Sequence, residues 1–131
     1  MEEVMSRRAA AVESDNAGNR TSSTFVALVR ELRDDRGLST GEVADLTGVR
    51  ERQVQHWAAG TSAPATESLK RLLDIQYLMK ELGEVYDPDG IRIWLHSRHR
   101  RLEDRRPIDV LTDGGFDVVL AEVRRLVEGN D

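Results

Sequence analysis

The chain of 131 residues contains no cysteine. That absence excludes disulfides and thiolate metal sites, and it fits a reducing cytoplasm. No apolar run approaches the ~20 residues of a membrane-spanning helix, so no membrane partner is expected. The N-terminus lacks the apolar core of a signal peptide. A positive charge balance is also missing. Nineteen Lys and Arg stand against 24 Asp and Glu, a net charge of −5. This is unfavourable for a nucleic-acid binder, because phosphate neutralisation supplies most non-specific affinity. The distribution of charge therefore matters more than its sum. No segment alternates strictly between apolar and polar residues, so the fold class is all-α. There is no Gly-rich phosphate loop, nucleophile–base set or carboxylate constellation, which speaks against an enzyme and against a cofactor.

What remains is a succession of short amphipathic helices. Residues 1–22 are polar and Ala-rich and read as a disordered tail. Arg7 and Arg8 there are either an arm for a DNA groove or part of an unstructured leader. From Thr24, a plausible cap, Phe25, Leu28, Val29 and Leu32 recur at helical spacing, and Gly37 ends that helix. Ser39 and Glu42 then form a Ser-x-x-Glu capping box. Val43, Ala44 and Leu46 make an apolar face, and Gly48 breaks the helix. Val54 and Trp57 lie on a second helix, closed by Gly60. Two short helices around a Gly turn resemble the helix-turn-helix of phage-repressor (Xre-like) proteins, whose second helix enters the DNA major groove. The resemblance implies a DNA-binding domain over 23–66. Its candidate contacts are Thr40, Arg50, Glu51, Arg52, Gln53, Gln55 and His56. Arg suits guanine and Gln suits adenine; Glu51 repels phosphate unless it reads a cytosine amino group. The bland alternative is a solvated helix face. Arg50 stands where a Ser or Thr cap is usual, exchanging the cap for a possible phosphate contact.

After the loop at 61–65, with Thr66 as the next expected cap, a helix over 67–82 is apolar around much of its circumference. It reads as shared between the helix-turn-helix and a helical domain over 67–131. Asp87-Pro88 caps another helix bearing Ile91, Trp94 and Leu95. Pro107 opens the next, with Ile108, Val110 and Leu111. Asp113-Gly114-Gly115 is a turn. A last helix from about Phe116 to Glu128 carries Phe116, Val119, Leu120, Val123, Leu126 and Val127 on one stripe.

Trp94, Leu95, Leu102, Arg106, Pro107, Asp109, Leu111, Gly114, Val119, Leu126 and Gly129, in this order and spacing, resemble the toxin-binding domain of Xre/MbcA/ParS-type antitoxins. The resemblance implies an antitoxin that silences a RES-domain, NAD-degrading toxin by covering its nucleotide pocket and that represses its own promoter. It implies the cognate toxin and operator DNA as partners, and a toxin–antitoxin hetero-oligomer. A homodimer is expected because one repressor-like module reads only a half-site. The segment Val127, Glu128, Gly129, Asn130 and Asp131 is the candidate plug for the toxin entrance. Where many members carry Gly-Gly before the Arg-Pro pair, this chain has Glu103-Asp104, which predicts a different backbone path. Six arginines between Arg92 and Arg106, among them Arg98, Arg101, Arg105 and Arg106, face toxin, DNA or solvent; sequence does not choose. Trp94 reads as a core anchor buried between the shared and terminal helices, or, if exposed, as an interface anchor. His96, His99 and Glu103 have helical spacing, but no third nitrogen or sulfur ligand accompanies them, so no metal site is expected. Two further readings stay open: a stand-alone regulator whose C-terminal half only dimerises, and an inhibitor whose acidic helix-turn-helix has lost DNA binding.

Overall fold

The computed structural model describes residues 24–129, and the tail with Arg7 and Arg8, like Asn130 and Asp131, lies outside them. Helix α1 (residues 24–30) buries Phe25, Leu28 and Val29 and then widens into a π turn over Glu31–Asp35. The expected uninterrupted helix to Gly37 is thus modified in its last turn. Arg36 N–H donates to the Glu31 carbonyl at 3.0 Å, and Leu38 N–H reaches the Leu32 carbonyl at 3.1 Å. Leu32 and Leu38 are both buried, so the wider turn lets two apolar side chains on either side of a chain reversal enter one core.

Helix α2 (Thr40–Thr47) begins with the complete capping box. Ser39 Oγ accepts from Glu42 N–H at 3.0 Å, and Glu42 Oε1 accepts from Ser39 N–H at 2.8 Å. Gly48 takes φ +74°, a value that favours glycine, and turns the chain into α3 (Glu51–Ala59). Val43, Ala44, Leu46, Val54 and Trp57 are buried between these helices.

Helix α4 (Thr66–Leu82) starts one residue earlier than a Thr66 cap allows. Ala65 occupies the cap position and offers no side-chain bond, so burial rather than capping holds this helix. Leu72, Ile75, Leu78, Met79 and Leu82 are buried, and α4 packs against both α2 and α7. One continuous core therefore runs from Phe25 to Val123. Not all of the apolar circumference is covered: Leu73 is 45% exposed and Tyr77 43%.

Asp87 caps α5 (Pro88–His96), accepting from Gly90 N–H at 2.8 Å, and Ile91, Trp94 and Leu95 are buried. Its chief neighbour is α6 (Pro107–Thr112). A 3-10 turn at Arg100–Leu102 joins the two. Helix α7 (Phe116–Val127) follows directly on the Gly turn; a Cβ at Gly115 would sit 2.5 Å from Val110 Cγ1, so the close approach of α6 and α7 excludes any side chain there. Val119 and Val123 are buried, whereas Val127, placed on the apolar stripe by its spacing, lies at the rim, 37% exposed. Among the described residues there is no strand, only an isolated antiparallel bridge between His99 and Arg105, and no helix is long and apolar enough to cross a membrane.

Candidate nucleic-acid interface and partner surface

Helix α3 presents its polar side chains to solvent. Arg50 sits at the N-cap in extended conformation without a side-chain cap bond, and its carbonyl accepts from Gln53 N–H at 2.9 Å. Its guanidinium is therefore not spent on the helix end. Arg50, Arg52 and His56 are exposed on one open surface beside the 61–65 loop, Gln55 is also exposed, and Thr40 is half-buried at the start of α2.

Two members of the predicted set differ from the rest. Gln53 is half-buried, and its Nε2 donates to Ser62 Oγ at 3.1 Å. It ties the loop after α3 to the helix with one N–H, which leaves its second N–H and its carbonyl oxygen uncommitted. Glu51 turns back toward the start of α2, where a Cβ at Gly41 would lie 3.3 Å from Glu51 Oε1. A carboxylate is stabilised at a helix N-terminus. Its negative charge in that position opposes an incoming phosphate.

His56 is positioned by Thr61. The Thr61 hydroxyl donates to the His56 carbonyl at 3.2 Å and so accepts from His56 Nδ1, 2.9 Å away. In the neutral ring this leaves Nε2 as an outward acceptor. Such an acceptor matches the exocyclic amino groups of adenine or cytosine in the major groove.

The arginine cluster resolves into separate tasks. Arg92 donates to the Gly37 carbonyl at 2.9 Å, fastening α5 to the end of the π turn. Arg98 donates to the Asp104 carbonyl at 3.1 Å. Arg105 pairs with Asp113. Arg106 grips Asp109 through two bonds of 2.7 and 3.0 Å, which hold the Asp109 carboxyl below the usual carboxylate range. Arg100 and Arg101 are exposed and make no ion pair among the described residues. Much of the local positive charge is thus consumed in shaping the connector between α5 and α6.

That connector takes the backbone path that glycines would favour. Glu103 and Asp104 have φ +58° and +61°, consecutive left-handed residues. Asp104 N–H donates to the His99 carbonyl at 2.9 Å, and His99 N–H to the Arg105 carbonyl at 3.1 Å. Local hydrogen bonds and buried Leu102 outweigh the steric cost of two left-handed residues that carry side chains.

Trp94 is 6% exposed, with its ring 5.0 Å from that of His99. Core burial removes it from the surface a partner can touch, so its place among the partner-contact candidates is corrected to that of an anchor beneath them. His99 and His96 are also spoken for. His99 Nε2 lies 2.9 Å from the Trp94 carbonyl, and His96 Nδ1 lies 2.7 Å from the Arg92 carbonyl. Among the described residues no group of three or more His, Cys, Asp or Glu is placed to hold a metal. Val127, Glu128 and Gly129 are at the surface where α7 ends.

One contact has no counterpart in the sequence reading. His96 Nε2 meets Glu42 Oε2, joining α5 to the capping box of α2 across 54 residues. Burial pushes the Glu42 carboxyl up, but hydrogen bonds from Ser39 N–H and from His96 outweigh it and hold the group below the usual carboxylate range.

Two family descriptions match the chain in succession: a helix-turn-helix over residues 29–75, and the antitoxin Xre/MbcA/ParS C-terminal toxin-binding domain over residues 82–129. The mycobacterial cidal antitoxins MbcA of Mycobacterium tuberculosis and Mycobacterium bovis are each 36% identical over 111 residues, covering 85% of this chain and 95% of theirs. A chain in the crystal structure of the M. tuberculosis MbcT–MbcA toxin–antitoxin complex superposes with a TM-score of 0.69 at 33% identity, over 79% of this chain and 94% of that one.

Proposed function

Because the chain belongs to the Xre/MbcA/ParS family of type II antitoxins and carries a helix-turn-helix, we propose that it neutralises a RES-domain toxin that degrades NAD and represses its own promoter through α3. The observation that carries this reading is the continuity of the match: DNA-binding and toxin-binding units follow each other on one core, and the MbcA relatives are matched over 95% of their length. The protein acts by binding, in the cytoplasm, without catalysis of its own.

In this reading the two surfaces work separately. Arg50, Arg52, Gln55 and His56 contact the operator, with Thr40 near the backbone. The toxin docks on the C-terminal half around Arg98, Arg101 and Arg105, with Arg106 holding the connector from within. The segment Val127–Asp131 enters the toxin's active-site mouth, where a short anionic tail mimics the phosphates for which such a pocket carries cationic and N–H donors.

Removal of residues 128–131 tests the plug. The truncated chain is expected to keep its helical circular dichroism and its operator affinity while the co-purified toxin regains NAD breakdown. Full inhibition by the truncated chain would place occlusion in the body of the domain. Failure of any NAD-degrading toxin to co-purify with the intact chain would remove the toxin class itself.

A further inference from the structure

Two polar contacts, one helical turn apart on α5, fasten that helix to the helix-turn-helix unit. Arg92 donates to the Gly37 carbonyl at 2.9 Å, and His96 Nε2 meets Glu42 Oε2. The second contact demands a proton count that the first does not. His96 Nδ1 lies 2.7 Å from the Arg92 carbonyl, which can only accept, so Nδ1 bears a hydrogen. A neutral imidazole has a single N–H. Its Nε2 would then turn a lone pair on the Glu42 carboxylate, itself an acceptor. The other neutral tautomer satisfies Glu42 and sets the Nδ1 lone pair against the Arg92 carbonyl. Both contacts hold together only when the pair carries a further proton.

We propose that His96 and Glu42 form a proton-held clasp between the DNA-binding and C-terminal halves, closed by an imidazolium ring and released when that ring turns neutral. The helix ends place the charges. His96 stands in the last turn of α5 and Glu42 in the first turn of α2, where helix dipoles favour a cation and an anion respectively. Glu42 Oε1 also accepts from Ser39 N–H at 2.8 Å, a bond that favours the ionised carboxyl, so the proton rests on the ring. The His96 and Glu42 side chains are 29% and 20% exposed, open enough to exchange protons with solvent. The neighbouring cations are committed elsewhere. Arg92 is turned to Gly37, Arg98 donates to the Asp104 carbonyl, and Arg106 of α6 grips Asp109. None of the three takes the place of the ring at Glu42 Oε2 when its proton leaves. The ring's contribution is complete below the imidazole range and is lost as pH rises through it, while Glu42 must stay ionised. The clasp therefore closes most firmly between about pH 5 and pH 6.5 and opens on the alkaline side.

This clasp rests on neither the toxin nor the promoter, and its test uses the full chain alone. Melting temperatures of the wild type and His96→Gln are compared between about pH 5.5 and pH 9. His56 and His99 titrate in both chains, so the difference between the two isolates His96. The wild type is expected to lead by roughly 4 °C at the acid end and by less than roughly 1 °C at the alkaline end. In a Glu42→Gln background the same comparison is expected to lose its pH dependence, because an amide both donates and accepts and so suits the neutral ring. His96→Lys keeps its proton to about pH 10. It is expected to hold a constant lead over His96→Gln across the range, a charge effect that loss of packing cannot produce. A wild-type lead that does not change with pH overturns the proposal, as does a pH dependence that survives in the Glu42→Gln background. A wild type no more stable than His96→Gln at the acid end overturns it too.

Discussion

Neighbouring residues on α3 are expected to act on DNA in opposite directions. Arg52 is exposed, whereas Glu51 folds back on the start of α2. Arg52→Ala should weaken operator binding by about 1–3 kcal/mol in a fluorescence anisotropy titration, with a shallower salt dependence. Glu51→Gln should tighten it by about two- to fivefold, the size of a single charge effect at a helix terminus. Equal weakening by both would mean that Glu51 contacts a base after all. Gln53→Ala should loosen the 61–65 loop, visible as faster amide exchange at Ser62, because its amide is committed there. Trp94 belongs to the same scale. At 6% exposure its truncation to Ala should cost about 3–5 kcal/mol, enough to unfold a domain of ordinary stability in urea.

At the scale of elements, the connector between α5 and α6 holds the most evident strain. Left-handed backbone costs a residue with a side chain roughly 1–2 kcal/mol, and glycine returns part of that gain as chain entropy. Glu103→Gly should therefore raise stability by about 0.5–1 kcal/mol in chemical denaturation, with binding to a partner unchanged. A destabilised variant would show that the Glu103 side chain holds the turn. The α1 exit is a second case: apolar spacing predicts the helix and its buried residues, but not the π turn, whose width follows from Leu32 and Leu38 sharing one core.

For the whole molecule, the carboxylate of Glu42 links the DNA-binding and partner-binding halves. Its side chain is one-fifth exposed and meets His96 while still capping α2. A double-mutant cycle with Glu42→Gln and His96→Gln should return a coupling of about 0.5–3 kcal/mol, whereas additive effects would deny the link. Acid dependence gives an independent readout. The folded-state Glu42 carboxyl is held below its ordinary range, so its contribution is present above that range and is lost as pH falls through it. As pH falls below about 5 and through the carboxylate range, the melting temperature of Glu42→Gln should thus fall less than that of the wild type. An identical acid slope would exclude Glu42 as a contributor.

What the sequence determined alone lies within a few residues along the chain. The capping box, Gly48, Gly60, the Asp87 cap and the prolines opening α5 and α6 act through bonds and sterics that span one helical turn, and they appear where their spacing places them. Apolar periodicity names the buried side of each helix for the same reason. The tertiary structure alone decided which side chains meet across the core. His96 finds Glu42 because α5 crosses near α2, Gln53 turns inward to Ser62, and the Trp94 ring meets His99 of the connector. The arginines between Arg92 and Arg106 form a cluster in sequence, yet their charge is divided among carbonyls and carboxylates brought near by folding. A guanidinium or imidazole on a long, rotatable stem takes the acceptor that packing delivers to it, and packing is set by the simultaneous burial of all the helices.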